Sequence, residues 1–213
     1  MGMIIAVDGP TASGKGTIAR ALAAHYRLPH LDTGLLYRAV GHQVALNEGD
    51  PNDPGDALAA TDFPDSLLTD PELRSEATGG LASRISVHPK VRRALFDRQR
   101  DFATQGGGAV LDGRDIGTVI APDADVKLFV TASVEARAMR RWNEMQQRGE
   151  SHTLAEIEED LRRRDQRDQS RAAAPLMAAA DALVLDTTEM SQEEAIEAAI
   201  EAVEEALSDT DRI

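Results

Sequence analysis

A glycine-rich segment between a short apolar run and an amphipathic helix constrains the fold of this chain more than any other feature. The apolar run is Met3–Asp8, the segment is Gly9–Thr17, and apolar residues recur at helical spacing from Thr17 to Tyr26. A buried strand that feeds a loop and then a helix is the opening of a βαβ unit. We therefore expect an α/β protein in which this strand is a central strand of a parallel sheet.

The composition of this loop points to a bound polyphosphate. Glycines let the backbone wrap around a phosphate with its amides pointing inward, and the following helix N-terminus adds a positive dipole. Lys15 supplies a mobile charge for β and γ phosphates. An ordinary glycine-rich turn is the alternative, but the spacing and the strand-to-helix context both favour a phosphate site. The candidate ATP-binding residues are Gly9, Pro10, Thr11, Ala12, Ser13, Gly14, Lys15, Gly16 and Thr17.

The loop departs from the strict Walker pattern at one position, with a consequence for the metal that accompanies ATP. That pattern places Ser or Thr directly after the lysine, whereas here Gly16 intervenes and the hydroxyl arrives at Thr17. Asp112 follows an apolar run, as a Walker B aspartate does. We expect Thr17 and Asp112 to hold Mg²⁺, with Asp112 acting through water.

Two further clusters are candidates for the acceptor site. In Leu31–Arg38 a hydroxyl, a phenol and a guanidinium lie near a helix start, although a simple helix cap explains the same residues. Asp112–Gly117 lies just beyond a predicted strand, at the edge where parallel sheets bind ligands. A plain turn is the alternative there, yet three charged groups at a strand end require partners.

A third cluster is the arginine-rich end of a predicted helix. Helical spacing places Arg164, Asp168 and Arg171 on one face, where arginines can close over transferring phosphates and exclude water. An exposed helix with ion pairs is the alternative. In an otherwise acidic chain, the clustered arginines favour the phosphate interpretation.

Length, charge and cysteine content exclude several classes of protein. The 213 residues suffice for one α/β domain, and the absence of cysteine excludes disulfides and Cys-ligated metals. A net charge of −14 disfavours nucleic acid as a partner. The first residues show no secretory leader, and no stretch is long and apolar enough for a membrane span. We expect a cytoplasmic protein, and a monomer.

The rest of the chain alternates between apolar strands and helical patterns, as an α/β fold requires. One stretch differs: 48–70 is rich in Asp, Pro, Gly and Ala and indicates a surface excursion or small insert. Ser191 and Glu194 predict a capping box at the start of the last helix. The other predicted strands are 28–31, 109–111, 126–130 and 182–185, and the other helices are 89–104, 133–148, 153–169 and 191–207.

Taken together, these motifs resemble the bacterial cytidylate kinases over nearly the whole chain. The stretches that carry the resemblance are Asp8-Gly-Pro with Gly-Lys-Gly-Thr, Leu31-Asp-Thr-Gly with Tyr37-Arg38, Asp112-Gly-Arg-Asp with Gly117-Thr-Val, Arg164-Asp-Gln-Arg-Asp168, Ala174-Pro-Leu and Ala179-Ala-Asp-Ala-Leu-Val-Leu-Asp186. The family usually has Ser where this chain has Thr33.

The resemblance implies a fold and a division of the chain. It implies a P-loop NTP-hydrolase-like α/β core with a five-stranded parallel sheet, a small monophosphate-binding insert and a short lid. We expect one cytidylate kinase domain over 1–213, with the core in 1–47, 81–150 and 172–213, the insert at about 48–80 and the lid at about 151–171.

The resemblance also implies roles for individual residues. Ser83, Arg92 and Asp115 match positions that contact cytosine. Arg38 and Arg114 match positions that hold the acceptor phosphate. Arg164, Asp168 and Arg171 match positions that meet the sugar and phosphates from the lid side. The expected substrate-binding residues are Thr33, Tyr37, Arg38, Ser83, Arg92, Arg114, Asp115, Arg164, Asp168 and Arg171, and the expected catalytic residues are Lys15, Arg114, Arg164 and Arg171.

The implied activity is a (d)CMP kinase that converts CMP or dCMP and ATP to CDP or dCDP and ADP, with Mg²⁺ accompanying ATP. A kinase of another small acceptor, such as UMP, is one alternative. A non-catalytic module that senses ATP through the phosphate loop, Gly9–Thr17, is the other alternative. An assay of ADP release separates the three.

Overall fold

The computed structural model describes residues 2–210, with side chains described for residues 2–208. It has the α/β architecture expected from the sequence, with a five-stranded parallel sheet flanked by helices. The strands are β1 (Met3–Asp8), β2 (His30–Asp32), β3 (Gly108–Gly113), β4 (Val126–Thr131) and β5 (Leu183–Asp186). The α-helices are α1 (Lys15–Tyr26), α2 (Thr33–Leu46), α3 (Pro54–Ala59), α4 (Glu76–Ile85), α5 (Pro89–Ala103), α6 (Val134–Gln147), α7 (Leu154–Ser170) and α8 (Gln192–Thr210).

Strand β1 is the central strand, as predicted, because the sheet order is β2-β3-β1-β4-β5. Its residues Ile5, Ala6 and Val7 are completely buried, as expected for a strand covered on both faces. The parallel register pairs Asp8 with Gly113 of β3 and with Phe129 of β4. Since parallel strands end at the same edge, the loops after β1 and β3 emerge side by side.

The chain forms two compact units. Within the described residues, one consists of residues 2–30 and 103–210, and the other of residues 31–102. In the first unit, α1 and α8 pack together and cover the sheet. Its core contains Ile5, Val7, Ile18, Leu22, Val110, Leu128, Val130, Ala199 and Val203. The predicted insert, at about 48–80, and the predicted lid, at about 151–171, are defined by the ligands that they contact. Their limits stay predictions.

The second unit has a hydrophobic core of its own, built around α2 and α4. The stretch 48–70 contributes to this core, so the expectation of a surface excursion is wrong. Asp53 accepts the amides of Gly55 and Asp56 and caps α3, where Pro54 occupies the first turn. The residues that suggested a loop therefore start a helix. The buried side chains of this stretch are Ala57, Ala60, Phe63 and Leu67.

The other predicted elements are present with small shifts of their ends. Strand β2 begins at His30 rather than Leu28 and is three residues long. The predicted capping box of α8 is confirmed, because the Ser191 amide donates to Glu194 Oε2 at 2.8 Å and the Glu194 amide donates to Ser191 Oγ at 3.2 Å. Among the described residues, no helix is long and apolar enough to cross a membrane.

The buried carboxylate of Asp8 ties the end of β1 to the segment that follows β3. Asp8 is 5% exposed, and its two oxygens accept the amides of Ile116 and Gly117 at 2.8 Å each. These amides open a π-helical turn over Ile116–Ile120. Burial raises the pKa of Asp8 to about 6, and the hydrogen bonds from Gly117 and Ile116 offset only part of this effect.

The close packing of α2 on α4 predicts opposite effects of alanine at two glycines of the second unit. A Cβ at Gly41 would lie 2.8 Å from Cβ of Leu81, whereas a Cβ at Gly80 would meet nothing within 4 Å. We expect Gly41→Ala to lower the free energy of unfolding by about 1–3 kcal/mol through overpacking. The matched control Gly80→Ala should raise it by up to about 1 kcal/mol, because alanine favours the helix. Urea unfolding of both variants checks this, and a stabilised Gly41→Ala would contradict the packing.

The raised pKa of Asp8 predicts a dependence of stability on pH. Because the folded-state pKa of about 6 exceeds the ordinary value of 3.8, the stability contributed by Asp8 is fully present below about pH 4 and is lost as the pH rises through 6. Asp8→Asn does not titrate at this position. The free energy of unfolding of the wild type minus that of Asp8→Asn should therefore fall by about 2 kcal/mol between pH 4 and pH 7. A difference that stays constant over this range would show that Asp8 ionises normally.

Candidate active site

The loop Gly9–Thr17 joins the end of β1 to the start of α1, as predicted. A Cβ at Gly9 would lie 2.1 Å from the carbonyl oxygen of Val130, so no larger residue fits there. Gly14 has φ 90°, the left-handed region that glycine adopts most readily. Directly after it, Lys15 opens α1 and the amides of the first turn face the loop side. The loop therefore has the shape and the dipole of an anion site.

Lys15 and Ser13 are both buried within this loop. Lys15 is 9% exposed, and its Nζ donates to the Pro10 carbonyl at 3.2 Å, which folds the ammonium group back over the loop. The hydroxyl of Ser13 is fully buried and has no hydrogen-bond partner among the described residues. A polar atom left unsatisfied in this way carries an energetic cost. An oxygen-rich ligand in the loop can supply such a partner.

The two residues expected at the metal both lie close to Gly16. The Thr17 hydroxyl accepts from Arg20 at 3.2 Å. Asp112, at the end of β3, accepts from Nε2 of His30 at 2.7 Å, and its Oδ2 lies 3.5 Å from the position that a Cβ would take on Gly16. No group of three His, Asp or Glu side chains within the described residues can hold a metal.

This donor set fits Mg²⁺ bound mainly by phosphates and water. Magnesium keeps several waters in proteins and takes one or two carboxylates together with substrate phosphates. One carboxylate and one hydroxyl beside a phosphate loop match that pattern. His30 did not emerge from the sequence as a site residue, because nothing in its local pattern signals a partner 82 positions away.

Arg114 connects the phosphate loop to helix α7. Its Nη2 donates to the Thr11 hydroxyl at 2.7 Å, and its Nε donates to Asp168 Oδ2 at 3.0 Å. The side chains of Arg114 and Asp168 are 24% and 9% exposed, so the pair is largely shielded from water. The structure thus brings three expected site residues into one contact: Thr11, Arg114 and Asp168.

A second arginine, Arg137, makes a parallel connection that the sequence analysis missed. It is 3% exposed, and its Nη1 donates to the Thr11 carbonyl at 3.1 Å. The same guanidinium binds Asp165 of α7 at 2.6 and 3.1 Å and the Ala132 carbonyl at 3.0 Å. One signal was available: Arg137 lies in the first turns of the helix that follows β4 at the ligand-binding edge.

Helix α7 has a buried face that carries the expected site residues and an exposed face with ion pairs. Counted over the whole residue, Arg164 and Asp168 are 7% and 6% exposed, and both lie on the buried side of the helix. Arg164 pairs with Asp160 at 2.6 Å. Arg162, on the exposed side, pairs with Glu135 and Glu158 at 3.0 Å, as in an ordinary solvated helix.

The expected helical placement of Arg171 is wrong. The helix ends at Ser170, and Arg171 has φ −59° and ψ 133°, which is extended backbone. Its side chain is still 9% exposed, and its Nε donates to the Asp168 carbonyl at 3.2 Å. Arg171 therefore stays beside Asp168 without being part of the same helical face.

Asp115 is positioned by the turn that follows β3. It is 5% exposed, and its carbonyl accepts the amides of Val119 at 2.9 Å and Ile120 at 3.2 Å. Asp8 fixes the two residues that come next in the chain. The backbone that follows the Asp115 side chain is thus held in place by hydrogen bonds.

The remaining expected residues belong to the second unit. Thr33, 3% exposed, opens α2, and the guanidinium of Arg92 lies 5.5 Å above the ring of Tyr37. Arg38 donates to the carbonyls of Leu73 at 2.8 Å and Ser75 at 2.9 Å. The structure therefore brings Tyr37 and Arg92 together, and it places Arg38 at the start of α4.

Ser83 is linked to Arg92 through a neighbouring serine. The hydroxyl of Ser86 donates to the Ser83 carbonyl at 3.0 Å, and Arg92 Nη1 donates to the Ser86 carbonyl at 3.3 Å. A serine and an arginine expected at one base are thus connected within the second unit. Arg92 comes from α5 and Ser83 from α4.

Comparisons with known proteins identify the family to which this sequence is similar. The model of the family "Cytidylate kinase" matches residues 5–205. A cytidylate kinase from a Caulobacter species is 56% identical over 207 residues, covering 97% of this chain and 96% of the relative. A cytidylate kinase from Cereibacter sphaeroides is 57% identical over 204 residues, covering 96% of each chain.

A solved structure supports the fold alone. An uncharacterized protein from Eubacterium ventriosum superposes with a TM-score of 0.56 at 14% identity, covering 95% of this chain and 98% of its own. The match of the family model and the identities above 50% over nearly the whole length concern the sequence itself. By these matches, this chain belongs to the cytidylate kinase family.

Proposed function

We propose that this protein transfers the terminal phosphoryl group of ATP to CMP or dCMP and releases ADP and CDP or dCDP. The observation that carries the proposal is the position of Arg114, which donates to Thr11 of the phosphate loop at 2.7 Å and to Asp168 of α7 at 3.0 Å. A guanidinium expected at the acceptor phosphate thus lies on the loop expected to hold ATP. Phosphoryl transfer requires the two phosphates to be neighbours.

The phosphate loop holds the donor in this proposal. The loop amides and the N-terminus of α1 bind the β and γ phosphates, and Lys15 moves from the Pro10 carbonyl to these oxygens. Thr17 and Asp112 hold Mg²⁺ on ATP, with Asp112 acting through water. When bound beside Thr17 and Asp112, Mg²⁺ would neutralise the negative charge that develops during transfer.

The acceptor contacts in this proposal are those expected from the sequence. Asp115, Ser83 and Arg92 contact the base, since cytosine offers an exocyclic amino donor beside ring acceptors, which a carboxylate and a guanidinium complement. Arg38 and Arg114 hold the monophosphate, and Asp168 contacts the sugar. The remaining lid-side residues, Arg164 and Arg171, meet the phosphates, while Thr33 and Tyr37 complete the acceptor site.

The chemistry requires no general base and no phosphoenzyme. A phosphate oxygen of CMP is already ionised at neutral pH, so it attacks the γ-phosphorus in line while the ADP oxygen leaves. Lys15, Arg114, Arg164 and Arg171 supply positioning and positive charge where the transition state concentrates negative charge. The cytoplasmic location and the monomeric state stay predictions from the sequence.

An acceptor panel tests the proposed function. ADP release from Mg-ATP should be rapid with CMP and dCMP and much slower with UMP and AMP, because only cytosine matches the proposed base contacts. Lys15→Ala, prepared in parallel, should lose most of its turnover and excludes a contaminating kinase. Preference for UMP or AMP would refute the base assignment, and the absence of activity with every acceptor would favour a module that senses ATP.

Asp115 predicts a change of specificity rather than a general loss of rate. Removing its carboxylate leaves the cytosine amino group without an acceptor, so we expect Asp115→Ala to lower the ratio of kcat/KM for CMP to that for UMP by about 10- to 100-fold. Asp123→Ala changes an exposed carboxylate in the next loop and serves as the matched control. An unchanged ratio in Asp115→Ala would show that another residue selects the base.

A further inference from the structure

We propose that His30 is a positioning residue that orients the carboxylate of Asp112 toward a water molecule in the Mg²⁺ shell of bound ATP. The inference rests on the metal assignment in the proposed function. His30 opens β2, and Asp112 lies near the end of β3, the neighbouring strand. Neither the loop motif nor the comparisons assign a role to this histidine.

The contact between the two side chains is short and shielded. Nε2 of His30 lies 2.7 Å from Oδ1 of Asp112, and the two side chains are 18% and 5% exposed. Since the carboxylate only accepts, the imidazole donates through Nε2. A hydrogen bond to a charged group in a shielded place is among the strong ones, so Oδ1 is held in one position.

The backbone before the histidine is held against the same strand. The Val110 amide of β3 donates to the Pro29 carbonyl at 2.9 Å. This fixes the register of the chain that enters β2, and with it the point from which His30 reaches Asp112. The histidine is thus anchored on a strand rather than on a loop, which is the more precise support for a site.

With Oδ1 held, the direction of Oδ2 is determined, and Oδ2 faces the phosphate loop. It lies 3.5 Å from the place that a Cβ would occupy on Gly16, and Nη1 of Arg20 lies 3.6 Å from the same place. The glycine that departs from the Walker pattern therefore leaves room beside this oxygen. A water molecule fits where a larger residue would place its side chain, and it can link Oδ2 to a cation on the ATP phosphates. Groups that orient metal-site ligands commonly change metal affinity by 10- to 100-fold when removed.

The experiment measures how the cation and ATP affect each other's binding, with no acceptor present. ATP dissociation constants are determined with EDTA and with Mn²⁺, and Mn²⁺ binding to the protein–ATP complex is followed by electron paramagnetic resonance. In His30→Phe, we expect the gain in ATP affinity caused by Mn²⁺ to fall by about 10-fold. ATP affinity in EDTA should stay unchanged, because the loop itself is intact.

A conservative variant separates positioning from a purely structural role. The side-chain amide of His30→Gln can donate from nearly the same place as Nε2, so its response to Mn²⁺ should stay within about 3-fold of the wild type. His30→Asn is too short to reach Asp112 and should behave like His30→Phe, which covers the case that the phenylalanine variant folds poorly. A structural role alone would lower the melting temperature without changing the response to Mn²⁺ selectively.

Two results would overturn the proposal. One is an equal response to Mn²⁺ in the wild type and in His30→Asn or His30→Phe. The other is a loss in His30→Gln as large as in His30→Asn. Because these titrations contain no nucleoside monophosphate, they report on His30 even if the acceptor panel shows that CMP is not the substrate.

Discussion

The two hydrogen bonds that the Asp8 carboxylate accepts from Ile116 and Gly117 hold the ligand-binding edge of the first unit together. Asp8 ends the central strand, and Gly9 of the phosphate loop follows directly. Arg114 and Asp115 directly precede the two residues that donate these bonds. The loop after β1 and the segment after β3, which are the proposed donor and acceptor sides, are therefore fixed to each other through one buried side chain. Its burial is costly, as the raised pKa shows, and the two amides offset part of that cost.

Acidic partners balance the positive charge of three arginines near this edge of the sheet. Arg114, Arg137 and Arg164 are each paired with an aspartate, at 3.0, 2.6 and 2.6 Å. A buried guanidinium left alone would be strongly destabilising, whereas a paired one is tolerated. All three aspartates come from α7, and the excess of acid over base in the composition supplies such partners. The clustered arginines thus do not repel one another before a phosphate arrives.

Features that depend on local patterns were predictable from the sequence. The run Met3–Asp8 and the glycines after it determine a strand and a loop by themselves, and the capping box at Ser191 follows from two residues three positions apart. The contribution of 48–70 to the core was missed because of Asp53 and Pro54, which cap and start α3. Asp and Pro are equally typical of turns, so the two residues do not distinguish a turn from a helix start.

Contacts between distant positions were beyond the sequence. His30 and Arg137 act through partners 82 and 28 positions away, and neither residue type is unusual in its local setting. The local patterns and the resemblance both pointed to Arg114 and Asp168 as site residues, but only the structure shows that the two side chains bind each other. Arg171 illustrates the limit of periodicity: a spacing of seven after Arg164 suggests the same helical face, yet the helix ends one residue earlier.

The double use of Thr11 has a consequence for the thermodynamics of nucleotide binding. Its hydroxyl accepts a hydrogen bond from Arg114, and its carbonyl accepts one from Arg137. Long arginine side chains lose up to about 2 kcal/mol of rotational freedom when they are ordered. Here that loss accompanies folding, so the nucleotide meets side chains that are already immobilised. The loop is preorganised, and the entropy cost of assembling it falls on the stability of the protein instead of on its affinity for ATP.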